Sequence, residues 1–272
     1  MPMKMGWRWY GEDNDPITLS DIKQIPGVTS IVWALHHKMP GEIWEENEIK
    51  EVMDQTHAYG FNGDVVESVN VHDDIKIGLP TRDQYIENYK QCIRNLSKFG
   101  VKVICYNFMP VIDWIRTDLH HPCADGTTSL YFDQVRFAYF DIYILKRPQA
   151  ENDYSDETLV QVHALDKTIT EREKDELIDT IIVKTQGFVN GNFKEGDKNP
   201  VELFRRLLSL YKGIDRAALR ENMRYFLSAI MPVCETFGIN MCVHPDDPPF
   251  QVLGLPRIVT DADDIAWILN AV

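Results

Sequence analysis

The strongest constraint on the fold is an alternation of short apolar runs with helical patterns through the first 108 residues. Residues 101–108 (VKVICYNF) are nearly all apolar or aromatic, which is typical of a strand buried on both faces of a parallel sheet. Such alternation predicts parallel strands joined by right-handed helical crossovers. Because no glycine-rich phosphate-binding motif follows the first apolar run, the pattern favours a barrel over a dinucleotide-binding fold.

The predicted fold class is therefore α/β, a TIM barrel with about five of the eight strand–helix units that closure needs. Thr81 and Gln84 form a predicted capping box at the start of one helix. The predicted strands are 5–10, 27–35, 63–69, 101–108 and 239–244, and the predicted helices around them are 17–26, 45–59, 81–100, 215–238 and 261–272.

Residues 110–215 interrupt this alternation. They contain helical patterns and polar stretches rich in Asn, Asp and Gly, and they show no clear strand. We therefore expect one barrel domain over residues 1–272 with a helical insertion at 110–215, which would serve as a lid or as an oligomer arm.

Charge and cysteine usage limit the possible partners and compartments. The 272 residues include 42 acidic and 28 basic side chains, a formal net charge of −14. Nucleic acids and anionic membranes bind basic surfaces, so neither is an expected partner. The sequence shows no membrane-spanning run and no signal peptide, and its five scattered cysteines predict a cytoplasmic protein with reduced thiols. Cys105 and Cys242 are predicted to be small buried core residues.

Polar residues at strand ends are the candidates for chemistry, because barrel active sites lie at the carboxyl ends of the strands. His244 ends the last predicted strand, and period-two alternation places it on one face with Asn240 and Cys242. A neutral imidazole there can bind a divalent metal ion, and Asp246 could orient it or bind substrate hydroxyls. The alternative is a turn histidine held by Asp246.

Arg8 lies within the aromatic run 7–10 (WRWY), where an unpaired guanidinium would be costly to bury. It could bind a substrate carboxylate in a bidentate way, form an internal ion pair, or stack on an indole. Glu67 lies in the third predicted strand. Its carboxylate could bind sugar hydroxyls, act as an acid or base, or pair with Arg8.

Three further positions carry polar groups near strand ends. Asn107 follows the fourth strand and could reach a substrate, and His72 is either a substrate-binding or a loop histidine. His36 and His37 are adjacent at the end of the second strand, so their side chains point to opposite faces. We expect one of this pair to line the site and the other to be structural.

Several strings, taken in order, resemble the mannonate dehydratase family: WRWYG, ALHH, VHDDIK, VICYNFMP, VHPDDPP and LGLPRIV. The resemblance covers essentially the whole chain. It implies a TIM barrel of the xylose-isomerase-like type that converts D-mannonate to 2-dehydro-3-deoxy-D-gluconate and water in glucuronate catabolism, with Mn²⁺ or Fe²⁺. A divalent ion suits this chemistry, because removing a proton alpha to a carboxylate creates an enediolate-like charge. The resemblance also implies that His244 is a metal ligand.

The resemblance further implies that a cysteine, a second histidine and an aspartate ligand, and a tyrosine in proton transfer, belong to a part of the family that follows the position of Val272. The catalytic residues are therefore unknown here, and we expect a truncated chain that is poorly active or inactive alone. Its exposed apolar helix face at Ile265, Ile268 and Leu269 would favour association, and we expect a homo-oligomer that binds the sugar acid. The alternatives are a non-catalytic sugar-acid-binding or oligomer-forming remnant, and a sugar isomerase or epimerase of the same superfamily.

Overall fold

A computed structural model describes residues 3–12, 14–186 and 198–272. The described chain forms two compact units, which are treated separately below. The single-barrel arrangement with an insertion at 110–215 stays a prediction. The first unit comprises Met1–Phe108, Ala217–Pro245 and Asp261–Val272, and the second comprises Met109–Arg216 and Asp246–Thr260.

The first unit is built on a five-stranded sheet in which every neighbouring pair is parallel, in the order β1-β2-β3-β4-β7. The α/β fold with a parallel sheet is therefore confirmed. The second unit holds a separate antiparallel pair, β5 and β6. The strands are β1 (Met5–Arg8), β2 (Val28–Trp33), β3 (Asn62–Glu67), β4 (Val103–Tyr106), β5 (Asp118–Pro122), β6 (Thr128–Tyr131) and β7 (Asn240–Val243).

Parallel strands must be connected by long crossovers, and the helices of the first unit include those that form these crossovers. These are α1 (Leu19–Lys23), α2 (Glu46–Ala58), α3 (Asp73–Ile77), α4 (Arg82–Lys98), α9 (Arg216–Phe237, whose first residue belongs to the second unit) and α10 (Ala262–Leu269). Those of the second unit are α5 (Gln134–Tyr139), α6 (Asp156–Asp166), α7 (Glu171–Ile178) and α8 (Pro200–Leu210), with π-helical turns at Phe140–Leu145 and Asp179–Lys184 and a 3₁₀ turn at Ala150–Asp153. Among the helices of the described ranges, none combines the length and apolar content that a membrane span requires.

Helix α4 shows how apolar spacing defines the buried face of a helix. Ile86, Tyr89, Ile93 and Leu96 are buried and recur at three- and four-residue intervals along one face. Of the apolar face expected on α10, Ile265 is 37% and Leu269 is 76% exposed, whereas Ile268 is partly buried. The association expected from it stays a prediction.

The predicted capping box of Thr81 and Gln84 is wrong. Thr81 has helical dihedral angles (φ −74°, ψ −11°), whereas a capping residue is normally extended, and its hydroxyl makes no cap hydrogen bond to α4. The hydroxyl instead donates to the Asp74 carboxylate of α3. The Thr81 hydroxyl thus binds Asp74, seven residues earlier in the chain, and not a backbone amide of α4.

The expectation that residues 110–215 contain no strand is also wrong. β5 and β6 form a hairpin whose turn is closed by a hydrogen bond from the Cys123 amide to the Thr127 carbonyl, 2.8 Å. His121 stacks on Tyr131 across the pair, with 4.1 Å between ring centroids. All four residues of β6 are exposed, so the hairpin lacks the apolar alternation by which strands are recognised in a sequence.

The core of the second unit contains a charged network around Asp141, whose side chain is fully buried. Arg147 donates to both carboxylate oxygens, with Nε–Oδ1 3.0 Å and Nη2–Oδ2 2.7 Å, and Tyr154 donates its hydroxyl to Oδ2 at 2.9 Å. Arg147 also contacts Asp153 at 2.6 Å. Because a buried carboxylate is tolerated only when it is paired and hydrogen-bonded, this network holds the π-helical turn in place.

We expect Arg147→Met to lower the free energy of unfolding by about 3–5 kcal/mol, because it leaves Asp141 buried without its cation. Urea unfolding at fixed pH measures the change. The matched control is Arg172→Met, since the Arg172–Glu176 pair is exposed (85% and 58%) and should contribute less than about 1 kcal/mol. Equal losses in the two variants would contradict this role for Asp141.

Candidate active site

Parallel pairing in the first unit brings the carboxyl ends of the strands to one edge of the sheet. Glu67, the last residue of β3, pairs in register with Cys105 of β4, and Cys105 pairs with Cys242 of β7. Arg8 is the last residue of β1, and His244 follows β7 directly. The structure therefore gathers Arg8, Glu67 and His244 at this edge, as the strand-end argument predicts.

Arg8 forms an internal ion pair, one of the alternatives that its sequence position left open. Its Nε lies 3.6 Å from Glu67 Oε2, and its guanidinium lies over the Tyr10 ring at 4.5 Å. Nη1 donates to the carbonyls of Trp9 (2.8 Å) and Val32 (3.3 Å). These two carbonyls take up both N–H groups of Nη1, and binding of a substrate carboxylate by Arg8 stays a prediction.

His36 completes the environment of Arg8, and sequence reasoning had not identified it as the partner. Arg8 Nη2 donates to His36 Nε2 at 3.2 Å, so this ring nitrogen must be unprotonated. Burial, then the charge of Arg8, then that of His37, lower the pKa of His36 to about 3. His37 is exposed and its Nε2 lies 2.9 Å from Glu48 Oε1. We call Arg8, Glu67 and His244, together with His36, the strand-end cluster. His36 thus belongs to this cluster through Arg8, whereas His37 contacts Glu48 of helix α2.

His244 is oriented by the backbone that follows it. Its Nδ1 lies 2.6 Å from the Pro245 carbonyl, which can only accept a hydrogen bond, so Nδ1 carries the proton. In the neutral ring, Nε2 then has the free lone pair, and it lies 3.9 Å from Glu67 Oε1. The side chains of His244 and Glu67 are 35% and 36% exposed, so a ligand can reach both.

His72 has a structural role in helix α3. Its Nδ1 accepts a hydrogen bond from the Asp74 amide at 3.0 Å, and its ring stacks on Tyr85 with 3.6 Å between centroids. Burial lowers the pKa of His72, against the opposing effect of the Asp74 and Asp73 charges, which keeps the ring neutral and able to accept. Substrate binding by His72 stays a prediction.

Asn107 and Asp246 fall in different units. Asn107 is 6% exposed and belongs to the first unit, next to β4. Asp246 belongs to the second unit, where its Oδ2 accepts from the amides of Ile258 (2.7 Å) and Val259 (2.8 Å). Arg257 Nη1 lies 3.7 Å from its Oδ1. The structure thus gives Asp246 a buried structural role, and substrate contact by either residue stays a prediction.

The pairs that fix the loop after Asp246 were missed in the sequence. Arg116 binds Asp247 in a bidentate way, at 3.0 and 2.7 Å. Arg257 is 1% exposed, and burial lowers its pKa against the opposing charges of Asp246, Asp113 and Asp247. The sequence offers no signal for these pairs, since their members lie up to 131 positions apart.

The strand-end cluster could provide some of the ligands of a metal ion. Within residues 3–12, 14–186 and 198–272, no three His, Cys, Asp or Glu side chains are grouped to hold a metal ion. His244 Nε2 and the Glu67 carboxylate are two possible ligands, and the hydrogen bond from Nδ1 to a carbonyl is the usual orientation of a metal-binding imidazole. Without a metal, Glu67 can accept hydrogen bonds from hydroxyl groups.

The second unit contains a polar cleft of about 850 Å³ beside the β5–β6 hairpin and helix α7. Its lining includes His120, His121, Arg136 and Glu173. Arg136 and Glu173 are already paired with each other at 3.1 Å. None of the residues predicted for the site from the sequence lines this cleft.

Comparison with known proteins gives a consistent result. A family model described as D-mannonate dehydratase (UxuA) matches residues 3–272. The chain is 44% identical to Mannonate dehydratase 1 of Bacillus licheniformis over 270 residues, which are 99% of this chain and 64% of that protein. It is also 44% identical to Mannonate dehydratase of Marinomonas sp. over 270 residues, 99% of this chain and 67% of that protein.

A third relative, Mannonate dehydratase of Shouchella clausii, is 44% identical over 260 residues, 95% of this chain and 62% of its own length. The crystal structure of mannonate dehydratase from Streptococcus suis serotype 2 superposes with a TM-score of 0.71 and 34% identity, covering 100% of this chain and 62% of that one. The chain thus spans 62–67% of the length of the proteins it matches.

We expect the stability of the first unit to fall as the pH drops below about 6.5, the pKa of an unfolded histidine. His36 has a folded pKa of about 3, so between these values the unfolded chain binds more protons. The stability that neutral His36 contributes is therefore present above about pH 6.5 and is lost as the pH falls towards 3.

His36→Gln keeps an acceptor for Arg8 but does not titrate, so its loss of stability between about pH 7 and pH 4 should be smaller than that of the natural chain. Urea unfolding followed by tryptophan fluorescence measures this difference. His57→Gln, at an exposed position of α2, is the matched control and should keep the natural pH dependence. An unchanged pH dependence in His36→Gln would show that His36 does not remain neutral in the folded chain over this pH range.

Proposed function

The chain belongs to the D-mannonate dehydratase (UxuA) family, and we propose on this basis that it takes part in the dehydration of D-mannonate to 2-dehydro-3-deoxy-D-gluconate and water. The observation that carries this proposal is the orientation of His244. Its Nε2 lone pair faces the Glu67 carboxylate at the carboxyl edge of a parallel sheet, where α/β enzymes place their chemistry. The pathway proposed for this step is hexuronate catabolism.

The proposed architecture is a TIM barrel of which this chain forms about five of eight units, with a helical insertion at 110–215. Five parallel strands in sequential spatial order, with helical crossovers, support it. The similarity to a mannonate dehydratase structure over the whole of this chain supports it as well.

Each residue of the strand-end cluster has a proposed task. Glu67 would accept hydrogen bonds from the hydroxyl groups of the sugar acid, and its Oε2 lies 3.6 Å from Nε of the Arg8 guanidinium. His36 keeps Arg8 in place while remaining neutral. Substrate contacts are also proposed, from the sequence, for Arg8, His72, Asn107 and Asp246.

The proposed cofactor is Mn²⁺ or Fe²⁺, with His244 as one ligand through Nε2. A bound divalent ion would stabilise the negative charge that develops when the proton alpha to the carboxylate is removed. His244 fits this role because its other ring nitrogen is hydrogen-bonded to a carbonyl. The described residues form no group of three ligands, so they provide only part of a coordination sphere. We therefore propose that the 272-residue chain alone is poorly active.

Two further properties stay predictions. The acidic sugar substrate must approach a chain with a formal net charge of −14, so its recognition depends on local cations or on the metal ion. Homo-oligomerisation and a cytoplasmic location are likewise proposed from the sequence.

The proposed function is tested by incubating the 272-residue chain with D-mannonate and Mn²⁺ and following the appearance of the 2-keto-3-deoxy acid by NMR. We expect slow turnover that depends on Mn²⁺. His244→Gln should lower the rate by at least about tenfold, because losing even an indirect metal contact commonly costs that much. His163→Gln, at an exposed position of α6, should leave the rate unchanged.

Two outcomes would contradict these proposals. If His244→Gln turns over D-mannonate as fast as the natural chain, His244 is not a metal ligand. If the natural chain turns over as fast as a full-length family enzyme measured alongside it, the described residues hold a more complete site than we propose.

A further inference from the structure

Two cysteines lie side by side in the parallel sheet. Cys105 of β4 and Cys242 of β7 are direct register partners, and register partners in neighbouring strands point to the same face. Adjacent strands are about 4.8 Å apart, which lies within the range of Cα separations found in disulfides. A small movement of the two strands could thus bring the Cys105 and Cys242 side chains close enough to form a disulfide.

The accessibility of these thiols differs from the sequence prediction. Both were expected to be buried, and for Cys242 this is wrong: it is exposed, whereas Cys105 is 9% exposed. Along β7 the exposed residues Asn240 and Cys242 alternate with the partly buried Met241 and Val243, so Cys242 lies on the more open face of the strand. Cys242 is therefore the thiol that a reagent in solution meets first.

The remaining cysteines do not compete for this chemistry. Cys92 and Cys234 are buried, and burial raises the pKa of each to about 11, so they stay protonated at neutral pH. Cys123 belongs to the second unit and is partly exposed. It therefore serves as an internal control for general thiol reactivity.

We propose that Cys105 and Cys242 form a reversible dithiol–disulfide pair that responds to disulfide oxidants such as oxidised glutathione. The Cys242 thiolate attacks the glutathione disulfide, forms a mixed disulfide and releases one glutathione. Cys105 then attacks the Cys242 sulfur, forms the internal disulfide and releases the second glutathione. The two protons of the protein thiols leave on the two glutathione molecules, and the two electrons reduce the oxidant.

The bond would lie within the strand-end cluster. Glu67 is the register partner of Cys105 on its other side, and His244 follows Cys242 by two residues. Oxidation would thus link strands β4 and β7 covalently, close to Glu67 and His244. It would also close residues 106–241 into a covalent loop, which restricts the unfolded chain and should raise the urea midpoint. The proposal of a Cys105–Cys242 disulfide does not depend on the proposed dehydratase activity.

The test is to treat the folded 272-residue chain with oxidised glutathione, alkylate the remaining thiols after denaturation, and measure intact mass and linked tryptic peptides. We expect three of the five cysteines to be alkylated, a peptide pair joined through Cys105 and Cys242, a raised urea midpoint, and full reversal by dithiothreitol. Cys105→Ser should stop the reaction halfway and retain one glutathione on Cys242. Cys123→Ser, the matched control, should form the disulfide like the natural chain.

Retention of all five free thiols, or a disulfide between a different pair, would overturn the proposal. So would formation of the same disulfide only in urea, because it would show that the folded strands hold the sulfurs apart. Cys242→Ser changes an exposed side chain and so keeps the test valid if Cys105→Ser does not fold: it should abolish glutathione uptake within the first unit.

Discussion

Parallel hydrogen bonding between β3, β4 and β7 is the constraint on which the candidate site depends. Parallel strands must all end at the same edge, and the chain must return through helices or longer segments between them. The registers Glu67–Cys105 and Cys105–Cys242 set which side chains meet across that edge. A slip of one residue in either pair would turn these side chains to the opposite face and separate Glu67 from His244.

The second constraint is the cost of placing a guanidinium between strands. Arg8 is tolerated because two carbonyls, one carboxylate and one neutral imidazole surround it. The same contacts hold the guanidinium beside Glu67, and binding of a substrate carboxylate by Arg8 stays a prediction. His36 has to remain neutral for this arrangement, which links the cluster to the pH of the medium.

The proposed metal-assisted chemistry would need more ligands than the described residues bring together. His244 and Glu67 face each other with their reactive atoms accessible, but the described residues contain no third ligand beside them. The relatives that the chain matches are named mannonate dehydratases and are longer than this chain. The proposed disulfide between the register partners Cys105 and Cys242 would add a redox property that the proposed dehydration does not require.

The parallel sheet, the approximate bounds of its strands and the residues at their ends could all be predicted from the sequence, because apolar runs and helical spacing are local patterns. The sequence also limited Arg8 to a few alternatives by the cost of burying a charge. Only the tertiary structure decided between those alternatives, gave Thr81 a distant partner, placed Asp246 in the second unit and exposed Cys242. Each of these outcomes depends on which groups meet across the fold, and contacts between residues far apart in the chain leave no periodic trace in a single sequence.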